Sequence, residues 1–295
     1  MVKQKRKGVM FTLLAATLWG TSFPLVKWSL EYVSPYVLVT LRFLLASVIL
    51  LPVAFLSARE RFFTFFPKPY LLLLGLINGV GYFLQFVGQS LTTAINASLL
   101  LNTSVIFASI FSSLWLNEQL GPKKTMGILI TFLGTILIVT EGRFKHLSSG
   151  TTVGDLLCLS GGMAWGVYTV ISKKTSKPKE NSLLFTSTML LYTFLAVFTF
   201  SMPFFHLKIL PLKIWLSVLY ISIFCTAIPF LLWYEGLKRI EASSSAVYLL
   251  FMIIVATILS IFFLLEPFTP MIGIGSLLVG GGIWLTERST SSSNV

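Results

Sequence analysis

Asn78, Tyr82, Gln85 and Gln89 follow one another at spacings of four, three and four residues, which on a helix stacks three amides and a phenol along one face. Such groups hydrogen-bond and stack. Their chemistry is recognition of a small polar or aromatic solute, or hydrogen bonding between helices. Trp19, Asn102, Trp165, Tyr168, Trp233, Tyr234 and Tyr248 lie in apolar runs elsewhere in the chain and complete a candidate cavity lining, although Trp and Tyr near helix ends also form interface belts. Ser104, Ala108 and Ser112 repeat every four residues and read as a helix-packing stripe. No His/Asp metal cluster, paired acids or nucleophile constellation is visible, so no catalytic residue, metal or cofactor is expected. That weighs against the alternative, an intramembrane lipid-modifying enzyme.

The elements that position these residues follow from composition. The chain of 295 residues is 55% hydrophobic and only 11% charged, against roughly 25% charged in a soluble domain. It therefore reads as an all-α integral membrane protein. The formal charge of +12 does not indicate a nucleic-acid partner, because its Lys and Arg fall in short clusters between apolar runs rather than on one face. Cys158 and Cys225 both lie inside apolar runs, which leaves no disulfide framework. The basic-then-apolar start resembles a signal peptide, but its long apolar segment reads better as a first span.

At about 20 apolar residues per crossing, ten spans are expected, near 8–28, 36–56, 70–91, 95–116, 124–141, 154–173, 182–205, 213–237, 243–265 and 270–287. Sixteen Lys and Arg then fall on one side, in the groups that begin with Lys3, Arg59, Lys123, Lys173, Lys238 and Arg288, and four on the other, Arg143, Lys145, Lys208 and Lys213. The positive-inside rule places the first side, and with it both termini, in the cytoplasm. The expected location is the cytoplasmic membrane, with lipid and a small-molecule substrate as partners and a monomer as the working unit.

The halves repeat. Gly8, Trp19, Gly20 and Lys27 recur 146 positions later as Gly154, Trp165, Gly166 and Lys173. Gly88, Ala94, Glu118, Pro122, Gly127 and Gly134 recur 148 positions later as Gly236, Ala242, Glu266, Pro270, Gly275 and Gly282. Two five-helix units, 1–146 and 147–295, are expected. Five is odd, so the second unit enters from the opposite side, the inverted repeat that lets a midplane site open to each face in turn. The segments AATLWGTSFPLVKW, LRFLLA and NEQLGPKKTMGILITFLGTILI, with second-half copies GGMAWGVYTVISKK and LLEPFTPMIGIGSLLVGGGIWL, resemble the ten-helix drug/metabolite transporter superfamily, EamA type. The resemblance spans nearly the whole chain. It implies alternating-access export or exchange of small metabolites, amino acids among them.

Several residues carry gating or structural expectations. Gly20 and Pro24 can bend the first helix; Gly166 copies Gly20, but Val170 replaces Pro24. Lys27 and Lys173 read as interface anchors, or in part as contacts to a substrate carboxylate or lipid phosphate. Arg42, about 10 Å along the second helix, should face a cavity, an acid or backbone carbonyls, in a structural or gating role or as a substrate contact; the resembled family also carries an Arg there. Glu118 and Glu266 are placed to cap the helices that follow them, with a gate between Glu118 and a cytoplasmic Lys as the sharper alternative. All ten Asp and Glu map to loops or helix ends, so the usual intramembrane proton carrier is missing. Facilitated diffusion or exchange is the expected mode.

Overall fold

In the computed structural model the described residues are 2–92, 100–140, 152–177, 180–206, 209–264 and 269–292. Glu266, Ala94 and His146 lie outside them, as does the side chain of Lys27. The described residues form helices and turns without strands. Thirteen helices are distinguished: α1 (Val2–Ser29), α2 (Pro35–Ser57), α3 (Arg59–Phe65), α4 (Pro69–Leu91), α5 (Ser104–Leu116), α6 (Pro122–Thr140), α7 (Thr152–Thr175), α8 (Ser182–Ser201), α9 (Leu212–Ser222), α10 (Ile228–Leu237), α11 (Ala242–Leu249), α12 (Phe251–Leu264) and α13 (Pro270–Ser292). Among the described residues seven apolar helical segments are long enough to cross a membrane, the segment Leu212–Leu237 joining α9 to α10, and Leu100–Leu116 and Pro270–Thr286 are shorter apolar segments. The short α3 falls in the stretch read from sequence as a loop.

Helix starts follow local chemistry. Pro35 opens α2, where its missing N–H costs nothing, and the Ser34 side chain accepts from the Val37 amide. Asn181 Oδ1 accepts from the amides of Leu183 and Leu184 at the start of α8. Pro24 does not end α1, which continues to Ser29; around it Thr21 and Ser22 hydroxyls donate back to the carbonyls of Leu18 and Trp19, at 2.8 and 2.7 Å. Such back-bonding tends to bend a helix, as does the ladder bond that Pro24 withholds from the Gly20 carbonyl.

The halves pack across one another through glycines. A Cβ added at Gly8 would lie 3.2 Å from the Gly236 carbonyl oxygen, and one at Gly88 would lie 3.1 Å from that of Gly154. One added at Gly20 would meet Val255 at 2.7 Å, and one at Gly166 would meet Phe107 at 2.6 Å. Between α6 and α13, Gly282 would press on the Gly127 carbonyl and Gly134 on that of Gly275, both at 2.7 Å. Each contact has a partner reached by the same offsets that relate the two halves in sequence. Close backbone approach at small residues is how helices associate where lipid offers no hydrophobic drive.

Charged loops gather at one end of the bundle. Glu180 binds Lys68 at 3.4 Å and accepts hydroxyls from Tyr70 and Tyr234 at 2.7 and 2.8 Å. Lys238 reaches the Glu180 carbonyl and the Glu235 carboxylate, at 3.1 and 2.7 Å. Arg239 also pairs with Glu235, and its Nε donates to Gln4. Lys124 pairs with Glu241. At the other end Lys213 donates to the Tyr32 hydroxyl at 3.0 Å.

Candidate functional site

Between the halves lies a cavity of about 740 Å³, its open mouth included. Its walls come from α1, α2, α4, α7, α10 and the regions around α5, α11 and α12. Trp19, Asn78, Tyr82, Gln85, Asn102, Trp165, Tyr168 and Trp233, eight of the eleven candidate residues, line it together. Arg42 and the apolar Phe230, Leu249, Leu250 and Met252 line it as well, with Ser22, Ser104, Thr169 and Ala246. Phe230 and Met252 carry no sequence signal separating them from ordinary core residues. Ser104, read as part of a packing stripe, opens onto the cavity.

Three candidates fall elsewhere. Gln89 is not in the lining; eleven residues beyond Asn78, it sits about 16 Å further along α4. Tyr234 stacks on Phe185 with ring centroids 3.6 Å apart and donates to Glu180. Tyr248 is buried in a cluster with Val9 and Ile240. Neighbouring positions on a helix differ by about 100°, so Trp233 faces the cavity while Tyr234 turns away.

The walls are an aromatic box. Trp19 meets Phe230 edge-on at 5.2 Å, and Tyr82 meets Trp165 at 5.0 Å. Tyr168 stacks on Trp233 at 5.4 Å, and Phe230 joins Tyr82 to Tyr168 at 6.4 Å each. Edge-to-face and offset contacts at these separations hold rings rigidly. Gly81 is the condition for one wall: a Cβ there would lie 2.7 Å from Trp165 Cδ1 and 2.9 Å from its Nε1. Gly81→Ala is expected to push that ring into the cavity, weakening solute binding roughly tenfold or more while the melting temperature moves little, because helix propensity and overpacking offset each other. A binding titration beside a thermal melt checks it.

Polar groups in the walls divide by whether the protein uses them. Asn78 Nδ2 donates to Thr193 at 3.2 Å, and Trp233 Nε1 to Ser245 at 3.1 Å. The ring N–H groups of Trp19 and Trp165 and Gln85 Oε1 are buried without a hydrogen-bond partner among the described residues.

Arg42 is 3% exposed, and its bonds follow from a defect in the facing helix. The chain passes through one wide turn, Ile223–Ala227, between α9 and α10. Pro229 stands four residues after Cys225 and has no N–H to return to the Cys225 carbonyl. Arg42 Nη2 donates to that carbonyl at 2.6 Å, and Nε donates to Thr226 Oγ1 at 2.7 Å. The guanidinium carbon lies 4.9 Å from the Tyr82 ring centre. No carboxylate pairs with Arg42 among the described residues, and it is the lone charged residue in the described lining.

Two helices are interrupted beside the cavity. The Leu100–Leu116 segment has a turn at Thr103, and a turn at Leu250 separates α11 from α12. Asn102 and Leu250, 148 positions apart, stand at these breaks and both line the cavity. Gly162 admits the first break, since a Cβ there would lie 2.7 Å from the Leu100 carbonyl oxygen.

The gating residues sort unevenly. Lys173 donates to the Leu237 carbonyl at 2.7 Å, tying α7 to α10. Glu118 corrects the sequence expectation that it caps the helix following it. Asn117, with φ of 55°, turns the chain after α5. The Glu118 carboxylate then accepts from the amides of Ala242 and Ser243, at 2.7 and 3.2 Å, and from the Ser243 hydroxyl. It caps α11, in the other half. Lys124 stands 3.9 Å away, which supplies the Lys partner of the alternative reading.

A bundle of apolar membrane-length helices around a central solute-sized cavity defines a multi-pass membrane protein of the transporter class. The chain belongs to the EamA-like transporter family, whose profile matches it twice, over residues 6–140 and 152–288. It is 31% identical to an uncharacterized transporter of Archaeoglobus fulgidus over 280 residues, 93% of this chain and 96% of that one. It is 25% identical to the uncharacterized transporter YyaM of Bacillus subtilis, covering 95% and 93% of the two chains. A crystal structure matches with a TM-score of 0.80 at 20% identity, covering 98% of this chain and 99% of that one, a likeness of fold.

Proposed function

We propose that the protein is a secondary transporter that moves small amphipathic solutes across the cytoplasmic membrane by alternating access, with efflux or exchange as its mode. Ten spans in two inverted five-helix units, 1–146 and 147–295, with both termini in the cytoplasm, form the working architecture. The paired glycine contacts support it, since each is matched by its counterpart under the offsets 146 and 148. The gathering of Lys68, Lys124, Lys238 and Arg239 at one end supports the orientation.

The observation that carries this reading is the aromatic-walled cavity, built from both halves and flanked by an interrupted helix from each. Interrupted helices at a repeat interface are where transporters build substrate sites. Uptake and efflux by proteoliposomes test it, with Tyr82→Ala, Gln85→Ala and Trp165→Ala beside the unaltered protein. Each change is expected to lower flux about tenfold or more, the equivalent of one good contact. Unchanged flux in all three would remove the cavity from the pathway, and lipid turnover without solute movement would favour an enzyme instead.

A further inference from the structure

An aromatic box is by itself a good receptor for a cation, because ring faces carry negative potential. Here that use is pre-empted. Arg42 lies over the Tyr82 ring, and no acid in the described lining offsets its charge. Of its five N–H groups, the bonds found within the described residues engage those at Nε and Nη2 and none at Nη1. Trp19 and Trp165 add two buried N–H donors without partners among the described residues. Among the described residues the cavity therefore offers more free donors than acceptors, Gln85 Oε1 being the free acceptor, and carries one positive charge without a counter-charge. A buried charge left without a counter-charge is costly, and a ligand bearing a single negative charge removes that cost. A zwitterion leaves the site at net +1, and a cation raises it to +2.

We propose that the cavity selects organic monoanions, aromatic or otherwise apolar molecules with one carboxylate, in preference to amino acids and amines of the same shape. The carboxylate sits against Arg42 within reach of the indole N–H groups, and the apolar body lies among the rings. Arg42 is then the specificity-determining residue. Moving a monoanion without a co-ion carries one negative charge per cycle, so an inside-negative potential drives it outward, by about fifty-fold in concentration per 100 mV. This selectivity rests on the transporter reading only for that flux.

The test uses three probes sharing a phenyl ring and a two-carbon chain: 3-phenylpropionate, phenylalanine and phenethylamine. Binding to the purified protein is followed by quenching of tryptophan fluorescence, since Trp19, Trp165 and Trp233 line the cavity. The anion is expected to bind about tenfold or more tighter than phenylalanine and about a hundredfold tighter than the amine, the scale of one or two charge-assisted hydrogen bonds. Arg42→Gln should bring the three affinities to within roughly threefold of one another, and Arg42→Lys, which keeps the charge, should preserve their order. Trp165→Phe, which keeps a ring and loses the N–H, should weaken the anion and spare the amine, so the proposal stays testable if the Gln variant does not fold. Equal binding of phenylalanine or phenethylamine, an order unchanged by Arg42→Gln, or no binding of any probe overturns it. Flux is read separately in proteoliposomes under a potassium diffusion potential. Binding in the expected order without flux would end the transporter reading and leave the anion site standing; flux without charge preference would do the reverse.

Discussion

Arg42→Ala is expected to reduce transport by at least about a hundredfold and to lower stability by roughly 2–4 kcal/mol, because it removes two different things at once. The first is structural. The Cys225 carbonyl faces Pro229 where a helix would supply an N–H, and Arg42 Nη2 fills that place at 2.6 Å. Without it a buried carbonyl stands unpaired, at about 1–3 kcal/mol, and the Nε bond to Thr226 goes with it. The second is the positive charge in the cavity. Arg42→Lys separates the two: an ammonium keeps the charge but lacks the planar fork that spans a carbonyl and a hydroxyl together. It is expected to recover part of the transport and little of the stability. Flux in proteoliposomes beside detergent melting curves decides it, and full transport by the Ala variant at wild-type melting temperature would remove both roles.

Arg42 also shows where sequence reading stops. Its depth in α2 implied a cavity, an acid or backbone carbonyls, and the structure supplies a carbonyl beside a cavity. That carbonyl is free because of a proline 187 positions away, and no local pattern announces such a pairing. The stripe Asn78, Tyr82, Gln85 was legible because helical periodicity alone puts those residues on one face. Gln89 continues the period but runs past the cavity's end, since periodicity fixes direction around a helix and not depth. Tyr234 and Tyr248 enter the candidate lining on residue type alone. Burial of a tyrosine says only that its hydroxyl needs a partner, and for Tyr234 that partner is Glu180, in the charged end of the bundle. The glycine repeats were readable as duplication, whereas their pairing across halves, Gly8 against Gly236 and Gly88 against Gly154, is a property of the assembled bundle.

Glu118→Gln is expected to loosen a bond that joins the two halves at the lysine-bearing end of the bundle. The carboxylate accepts two backbone amides and a hydroxyl at the start of α11, where the helix dipole adds to the attraction, and it belongs to the half that does not contain α11. An amide offers one acceptor oxygen and turns two donors toward groups that are themselves donors. The loss is roughly 2–3 kcal/mol on the scale of charge-assisted hydrogen bonds. Under the proposed alternating access, a bond joining the halves at one end breaks when that end opens, so its weakening should shift the closed-to-open ratio by roughly thirtyfold or more. Glu118→Asp keeps the charge on a shorter arm and should fall between. The readout is labelling of Ser104→Cys by a membrane-impermeant maleimide, in a background with Cys158 and Cys225 replaced, applied separately to each membrane face. Labelling of the Gln variant should accelerate from the face that carries Lys124 and Lys238 and slow from the other. Equal rates from both faces, with only the melting temperature lowered, would make Glu118 a cap that holds the fold and leaves access to the cavity unchanged.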